Sequence, residues 1–216
     1  MTQAASNHVF IVGDWREHLP DKTVSLMIAD PVYGSADVYN LVKLAVERKI
    51  PSCIFMWPDD VFGLPYKPEQ LCHWVKPVST KNTSQRYSRF VEVIAMWGVG
   101  FYEPLHWSNR TGVFTDGLFR NDALLWKKPE SLIERLVRNH YPGWGVVYDP
   151  CAGTRTVEEV CKRRGISSMS VELSESPSST LSSASTSLLG MLSPSQLKAA
   201  GFGPTTALTD GKGDKK

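Results

Sequence analysis

The chain has 216 residues, a formal net charge of +2, and hydrophobic and charged fractions of 42% and 21%. That length suits one domain, or one domain with a modest insertion, and a charge so near zero gives no argument for a nucleic-acid partner unless basic residues gather in a local patch. No stretch offers the ~20 apolar residues of a membrane span and no secretory signal opens the chain, so no membrane role is expected and the expected setting is a cytosolic compartment.

His8–Val12 reads as a short strand ending at Gly13-Asp14, and Val24–Ala29 (VSLMIA) as a second that stops abruptly at Asp30-Pro31. An apolar run of this length between polar and turn residues fits a parallel strand buried on both faces. Asp37–Lys49 has helical spacing, with Val38, Leu41, Val42, Leu44 and Ala45 available for one face. Cys53–Trp57 is the next strand, and Asp59-Asp60 after Pro58 could cap a following helix. Leu71–Val75 and Phe90–Trp97 are apolar runs that periodicity leaves open between strand and buried helix, and His73 and Trp74 read as core or structural residues.

Glu130–Asn139 carries a helical stripe of Leu132, Ile133, Leu136 and Val137, with Pro129 where a first turn tolerates it. A Pro142-Gly143 turn, a strand Val146–Tyr148, a loop Asp149–Thr156, a helix Val157–Arg164 closed by Gly165 and a strand from Ser168 follow. Strands alternating with helices indicate an α/β doubly wound sheet over residues 8–173. Residues 174–216 are rich in serine and threonine and read as a flexible tail. The four cysteines and five histidines show no ligand spacing, so no metal and reduced thiols are expected.

In an open α/β sheet ligands bind beyond the carboxyl ends of the strands. Two loops at such ends are chemically unusual: DPVYG at 30–34 and DPCAGTRT at 149–156. The segment GDWREHLPDKTVSLMIADPVYG (13–34) resembles the surroundings of the Asp-Pro-Pro-Tyr motif of DNA amino-methyltransferases. KKPESLIERLVRNHYPGWGVVYDPCAGTRTVEEVCKRRGISSMSVEL (127–173) resembles their cofactor-binding half, while HWVKP (73–77) and RFVEVI (89–94) are similar to their middle motifs. The catalytic motif precedes the cofactor motif, the permuted order of the β class, in which orphan phage-type enzymes occur.

The resemblance implies a Rossmann-like methyltransferase sheet with helices on both faces, S-adenosylmethionine (SAM) as cofactor, and methyl transfer to adenine N6 in DNA. That exocyclic amine is a poor nucleophile because its lone pair is delocalised into the ring. Hydrogen bonds to the Asp30 carboxylate and the Pro31 carbonyl would localise the pair, so positioning and electrostatics could supply most of the rate. Tyr33 offers a face for a base flipped out of the duplex. By the same resemblance Asp149, Cys151, Gly153 and Thr154 form the cofactor loop, Glu172 holds the ribose hydroxyls, Lys128 lies near the cofactor carboxylate, and Asp14 makes an adenosine contact.

Residues 101–128 stand where the β class carries target recognition, and interleave aromatics with Arg110 and Arg120; these, with Arg86 and Arg89, could contact phosphate. An irregular loop packing its aromatics onto the domain is an equally weighted reading of that stretch. Recognition would be of a short site or shared with a second subunit, since permuted-class relatives often form homodimers.

Three departures stand out. Val32 replaces the second proline and restores an N–H and a free φ, Cys151 replaces a phenylalanine, and Arg155 replaces a glycine. Arg155 could crowd the cofactor loop or pair with the cofactor carboxylate. The competing functions are methylation of cytosine N4 or RNA adenine, and a catalytically degenerate homologue that binds nucleic acid or protein; a nicotinamide-dependent dehydrogenase is a distant third.

Overall fold

The computed structural model describes residues 6–19, 23–80, 89–102, 111–117 and 127–174, with backbone alone at 77–80 and 89. Arg86, Arg110, Arg120 and residues 175–216 therefore lie outside the described residues, as does the Arg89 side chain. The strands are β1 (His8–Val12), β2 (Val24–Ala29), β3 (Ser52–Met56), β4 (Gln70–Thr80), β5 (Arg89–Trp97), β6 (Val113–Phe114), β7 (Val146–Asp149) and β8 (Ser168–Glu172). The helices are α1 (Ala36–Glu47), α2 (Glu130–His140) and α3 (Thr156–Arg164), with a 3-10 turn at Pro58–Gly63.

One sheet runs in the order β1-β8-β7-β2-β3-β5-β4-β6. Every pairing is parallel except those of β5, which runs antiparallel to both β3 and β4. Each residue of β2 is buried, because β7 and β3 flank it and helices cover both faces. Leu26 and Ile28 pack with Leu132, Leu136, Val157 and Val160 of α2 and α3, while Met27 and Ala29 pack with Val38, Leu41 and Val42 of α1. The edge strand β1, paired only with β8, is correspondingly half exposed.

Local chemistry sets the element ends. The Ser35 hydroxyl accepts from the Asp37 amide at 3.2 Å and caps α1 one residue earlier than the periodicity indicates. Gly145 feeds β7 with φ +80°, and a Cβ there would lie 2.5 Å from the Thr23 carbonyl oxygen, so only glycine fits. The two ambiguous runs are both strands: Cys72, Trp74 and Lys76 point inward while Leu71, His73 and Val75 face out. Trp74 is core as expected, but His73 is exposed because the two-residue period turns it to the other side. Cys53, Cys72, Cys151 and Cys161 are free thiols, and no helix among the described residues is long and apolar enough to cross a membrane.

Candidate active site at the ends of two neighbouring strands

The chain leaves β2 through α1 toward β3 on one side, and leaves β7 through α3 toward β8 on the other. Connections that diverge from two adjacent parallel strands open a crevice at their carboxyl ends. Asp30 follows the last residue of β2 and Asp149 closes β7, so both motif loops border that crevice.

On the Asp30 side, four charged groups and four aromatic rings form one cluster. Tyr33 Oη lies 2.6 Å from Asp30 Oδ1 and 2.8 Å from Glu92 Oε2. Lys128 Nζ lies 2.5 Å from Asp30 Oδ2 and 3.3 Å from Glu92 Oε2, and Lys76 Nζ lies 2.8 Å from Glu92 Oε1. Lys128 faces the rings of Tyr33, Phe55 and Trp74 at 5.1–5.6 Å, and Lys76 stands over Trp57 at 4.7 Å. Buried charges need this kind of pairing, and the ring faces add attraction where water is excluded. Asp30, Phe55, Glu92 and Lys76 come from or next to β2, β3, β5 and β4, four consecutive strands, so the cluster is a row across one face of the sheet.

Electrostatics separates the two carboxylates. Burial pushes the Asp30 carboxyl above its ordinary range, against the pull of Lys128. Burial also works to raise Glu92, but Lys128 and Lys76 outweigh it and hold that carboxyl below the ordinary range. Burial works to lower Lys128, and Asp30 and Glu92 outweigh it, keeping the ammonium charged. Asp30 nonetheless exposes 30% of its side chain, so its carboxylate is approachable from the crevice. Among the described residues the Pro31 carbonyl beside it accepts no hydrogen bond. The exposed Val32 is held by its own carbonyl, which accepts from the Ser35 hydroxyl at 2.5 Å. Asp60 ties this loop to the 3-10 turn, accepting from the Trp57 amide at 2.9 Å and the Gly34 amide at 3.4 Å.

The second loop is built on backbone. Cys151 N donates to Asp149 Oδ1 at 3.1 Å, and Gly153 N donates to Glu172 Oε2 at 2.6 Å. Leu173 N donates to Glu172 Oε1 at 3.0 Å, which still leaves each Glu172 oxygen a lone pair for a further donor. Burial pushes the Asp149 carboxyl up to about 8, and the neighbouring charges of Asp30 and Glu172 push the same way. The Cys151 thiol is likewise pushed well up by burial and by Asp149. Thr154 exchanges a hydroxyl contact of 3.0 Å with Thr156. Asp14 accepts from the Arg16 amide and guanidinium at 2.9 Å, and Arg16 also pairs with Asp37, which ties the loop after β1 to α1.

Lys128, expected beside the cofactor carboxylate, pairs with Asp30 and Glu92. Arg155 does not crowd the loop. It takes a left-handed conformation (φ +61°), and its side chain turns away to Glu158 at 2.7 Å and over the Phe10 ring at 4.1 Å. Glu92 and Lys76 were not singled out from the sequence, although opposite charges on the inward faces of two apolar strands would have marked them. Of the 101–128 stretch, Phe114 packs into the core, Arg135 stacks on it at 3.9 Å and bonds Asp116 at 3.1 Å, and Phe101 and Tyr102 are exposed.

No protein-family model matches the chain, and no curated protein matches it. Solved structures do. The chain is similar to the cytosine-N4-specific PvuII DNA methyltransferase, with 14% identity, 92% of each chain covered and a TM-score of 0.60. It also matches M1.HpyAVI in complex with SAM, at 16% identity and a TM-score of 0.56 over 82% of this chain and 99% of that one. The chain shares the fold of these two structures. A further match is TTHA0409 of Thermus thermophilus, provisionally assigned as a DNA modification methylase and complexed with S-adenosyl-L-methionine. It has 21% identity and a TM-score of 0.54 over 78% of this chain and 88% of that one. At such identities the likeness carries the architecture, and the chemistry rests on the side chains.

Proposed function

We propose that the chain is a SAM-dependent DNA amino-methyltransferase acting on the N6 amine of adenine. The observation that carries this is the juxtaposition of Asp30 and the free Pro31 carbonyl with the Asp149–Thr156 loop at the mouth between β2 and β7. The similar structures, two of them SAM complexes and one a DNA methyltransferase, point the same way.

The residues present fit the cofactor. Asp14 and Glu172 make the second side of the crevice acidic, which suits a sulfonium and an ammonium, and Glu172 keeps acceptor capacity for a diol, while Asp149, protonated near neutrality, orders the loop through the Cys151 amide. The Arg155 side chain turns away from the loop to Glu158, which favours a binding-competent site over a degenerate one. When bound, SAM supplies an electrophilic methyl group. The chain's own part is to bind and orient the amine. Asp30 and the Pro31 carbonyl accept its two hydrogens, drawing the nitrogen toward tetrahedral geometry, and Tyr33 and Trp57 border the place where an extruded base would sit. Arg86, Arg89, Arg110 and Arg120 are proposed to contact backbone phosphate, and a homodimer would supply recognition surface that one chain lacks.

A carboxylate at position 30, where the resemblance would put a serine in a cytosine-N4 enzyme, favours adenine. The likeness to a cytosine-N4-specific enzyme favours a second reading, transfer to cytosine N4. Incubating duplex DNA, single strands and RNA with the protein and SAM, then resolving the nucleosides by mass spectrometry, separates N6-methyladenine from N4-methylcytosine. Sequencing DNA from expressing cells beside an Asp30→Ala control tests activity in vivo. A folded protein that binds SAM but methylates no substrate would overturn the reading.

A further inference from the structure

Two carboxylates share one hydroxyl and one ammonium. Tyr33 Oη is within hydrogen-bond reach of both Asp30 and Glu92 but carries a single proton, so it donates to one at a time. Lys128 Nζ is 2.5 Å from Asp30 and 3.3 Å from Glu92. Both Asp30 oxygens are thus engaged, Oδ1 by Tyr33 and Oδ2 by Lys128. Each oxygen keeps a second lone pair that an amine could reach, but the Lys128 cation neutralises the charge that would polarise that amine. Full charge on Asp30 therefore requires Lys128 to have somewhere else to go.

Glu92 is that place. Its Oε2 already faces Tyr33 Oη and Lys128 Nζ, and its Oε1 is held by Lys76, which is itself fixed over Trp57 and Trp74. Glu92 cannot follow Lys128 toward Asp30 without breaking its bond to Lys76. Lys128 keeps the Tyr33, Phe55 and Trp74 rings around it, so it can shift between the two carboxylates without entering water. We propose that Glu92 is a positioning residue, a standby counter-ion that takes over Lys128 and the Tyr33 proton when the amine enters, so freeing the Asp30 carboxylate. The inference rests on the amino-methyltransferase reading and names the residue that makes its Asp30 available. Lys128 and Lys76 keep Glu92 ionised through the neutral range, as a receiving counter-ion must be.

The test uses steady-state methyl transfer to DNA, with SAM affinity from calorimetry and folding from thermal melts. Glu92→Gln keeps the shape and hydrogen-bonding capacity but not the charge. It is expected to lower kcat at least tenfold and to leave the SAM Kd within twofold of the wild type. Because Glu92→Gln leaves Lys76 unpaired, the double variant Lys76→Met/Glu92→Gln removes both charges and preserves neutrality. A purely structural Glu92–Lys76 pair predicts that activity returns with stability in the double variant. The standby role predicts a well-folded double variant that stays slow, since Asp30 is then the only carboxylate left to balance Lys128 in the cluster. A fully active Glu92→Gln, or recovery in the double variant, overturns the inference alone. A wild-type protein that binds SAM and transfers nothing removes the function and this inference together.

Discussion

Lys128 Nζ and Asp30 Oδ2 lie 2.5 Å apart, although 98 positions separate the two residues in the chain. Lys128 immediately precedes Pro129 and α2, whose Leu132, Ile133, Leu136 and Val137 are packed against the sheet. The seating of one amphipathic helix thus delivers a cation to the end of β2. The proposed reaction centre is then an ion pair at rest, and its behaviour can be perturbed from either side.

Replacing Asp30 by Asn keeps the outline of the side chain and removes the charge. Methyl transfer is expected to fall about 100-fold or more, the scale of losing one group aimed at developing charge. SAM affinity should be little affected, because the acidic groups of the second loop remain. Lys128 keeps Glu92 as partner, so the stability loss should stay at about 1–3 kcal/mol. Single-turnover methylation with denaturant melts measures both.

Tyr33→Phe retains the ring against Trp57, 5.1 Å between centroids, and deletes the hydroxyl that serves Asp30 and Glu92. The one donor that Asp30 and Glu92 share is lost, which should destabilise the fold by about 1–3 kcal/mol. Activity is expected to drop about tenfold, less than for Asp30, if the ring rather than the hydroxyl meets the base. Parallel melts and kcat measurements decide, and full activity would show the hydroxyl to be structural only.

Asp149 makes stability depend on pH. Its folded carboxyl titrates near 8, above the ordinary range it has when unfolded, so the folded state holds the extra proton between the two. Its contribution is therefore fully present in acid, below the unfolded value, and is lost as pH rises toward about 8. Buried His140 is shifted downward by burial and opposes this near neutrality, so the informative quantity is a difference between proteins. Asp149→Asn, whose amide oxygen can still accept from Cys151 N, should melt higher than the wild type near pH 8 and show no gain near pH 4. Melting temperatures across that span check the sign.

Arg155 offers a paired comparison. A non-glycine residue at φ +61° costs about 1–2 kcal/mol, which its contacts with Glu158 and Phe10 partly offset. Arg155→Gly relieves the backbone while losing those contacts, so stability should change by less than about 1 kcal/mol. Arg155→Ala loses the contacts without the relief and should destabilise by about 1 kcal/mol, the scale of one exposed ion pair and one cation–ring contact. Lys162, 2.7 Å from Glu158, keeps that buried carboxylate paired in both variants. SAM affinity should be unchanged in each; a large rise for Arg155→Gly would mean that the arginine does obstruct the loop.

Much of this was readable from residues alone, for identifiable reasons. VSLMIA and VVYD lie in the middle of a parallel sheet, so burial on both faces made them continuous apolar runs ending on a carboxylate. The stripe of α2 emerged because only one side of that helix meets the sheet. Leu71–Val75 was ambiguous because an aromatic and a cysteine alternate there with apolar residues that turn out to be exposed. Lys128 and Glu92 were invisible as partners, since pairing depends on which strand lies beside which, and neither periodicity nor local propensity carries that. The conformation of Arg155 likewise depends on Glu158 one helical turn on and on Phe10 from the far end of the chain.

The adjacency of β2 and β7 also bears on how the chain assembles. β2 pairs through Val24–Met27 with Val146–Tyr148, and β1 pairs only with β8 at Ser168–Glu172. On a growing chain, β1 has no neighbour and one margin of β2 stays open until the last quarter of the domain has been made. Contacts so distant in sequence close slowly, and an open, wholly apolar strand is a template for unwanted pairing in the meantime. Expression at low temperature or a slow rate of synthesis should therefore improve soluble yield, and truncation before residue 146 should abolish it, because the proposed reaction centre would be left on a raw sheet edge.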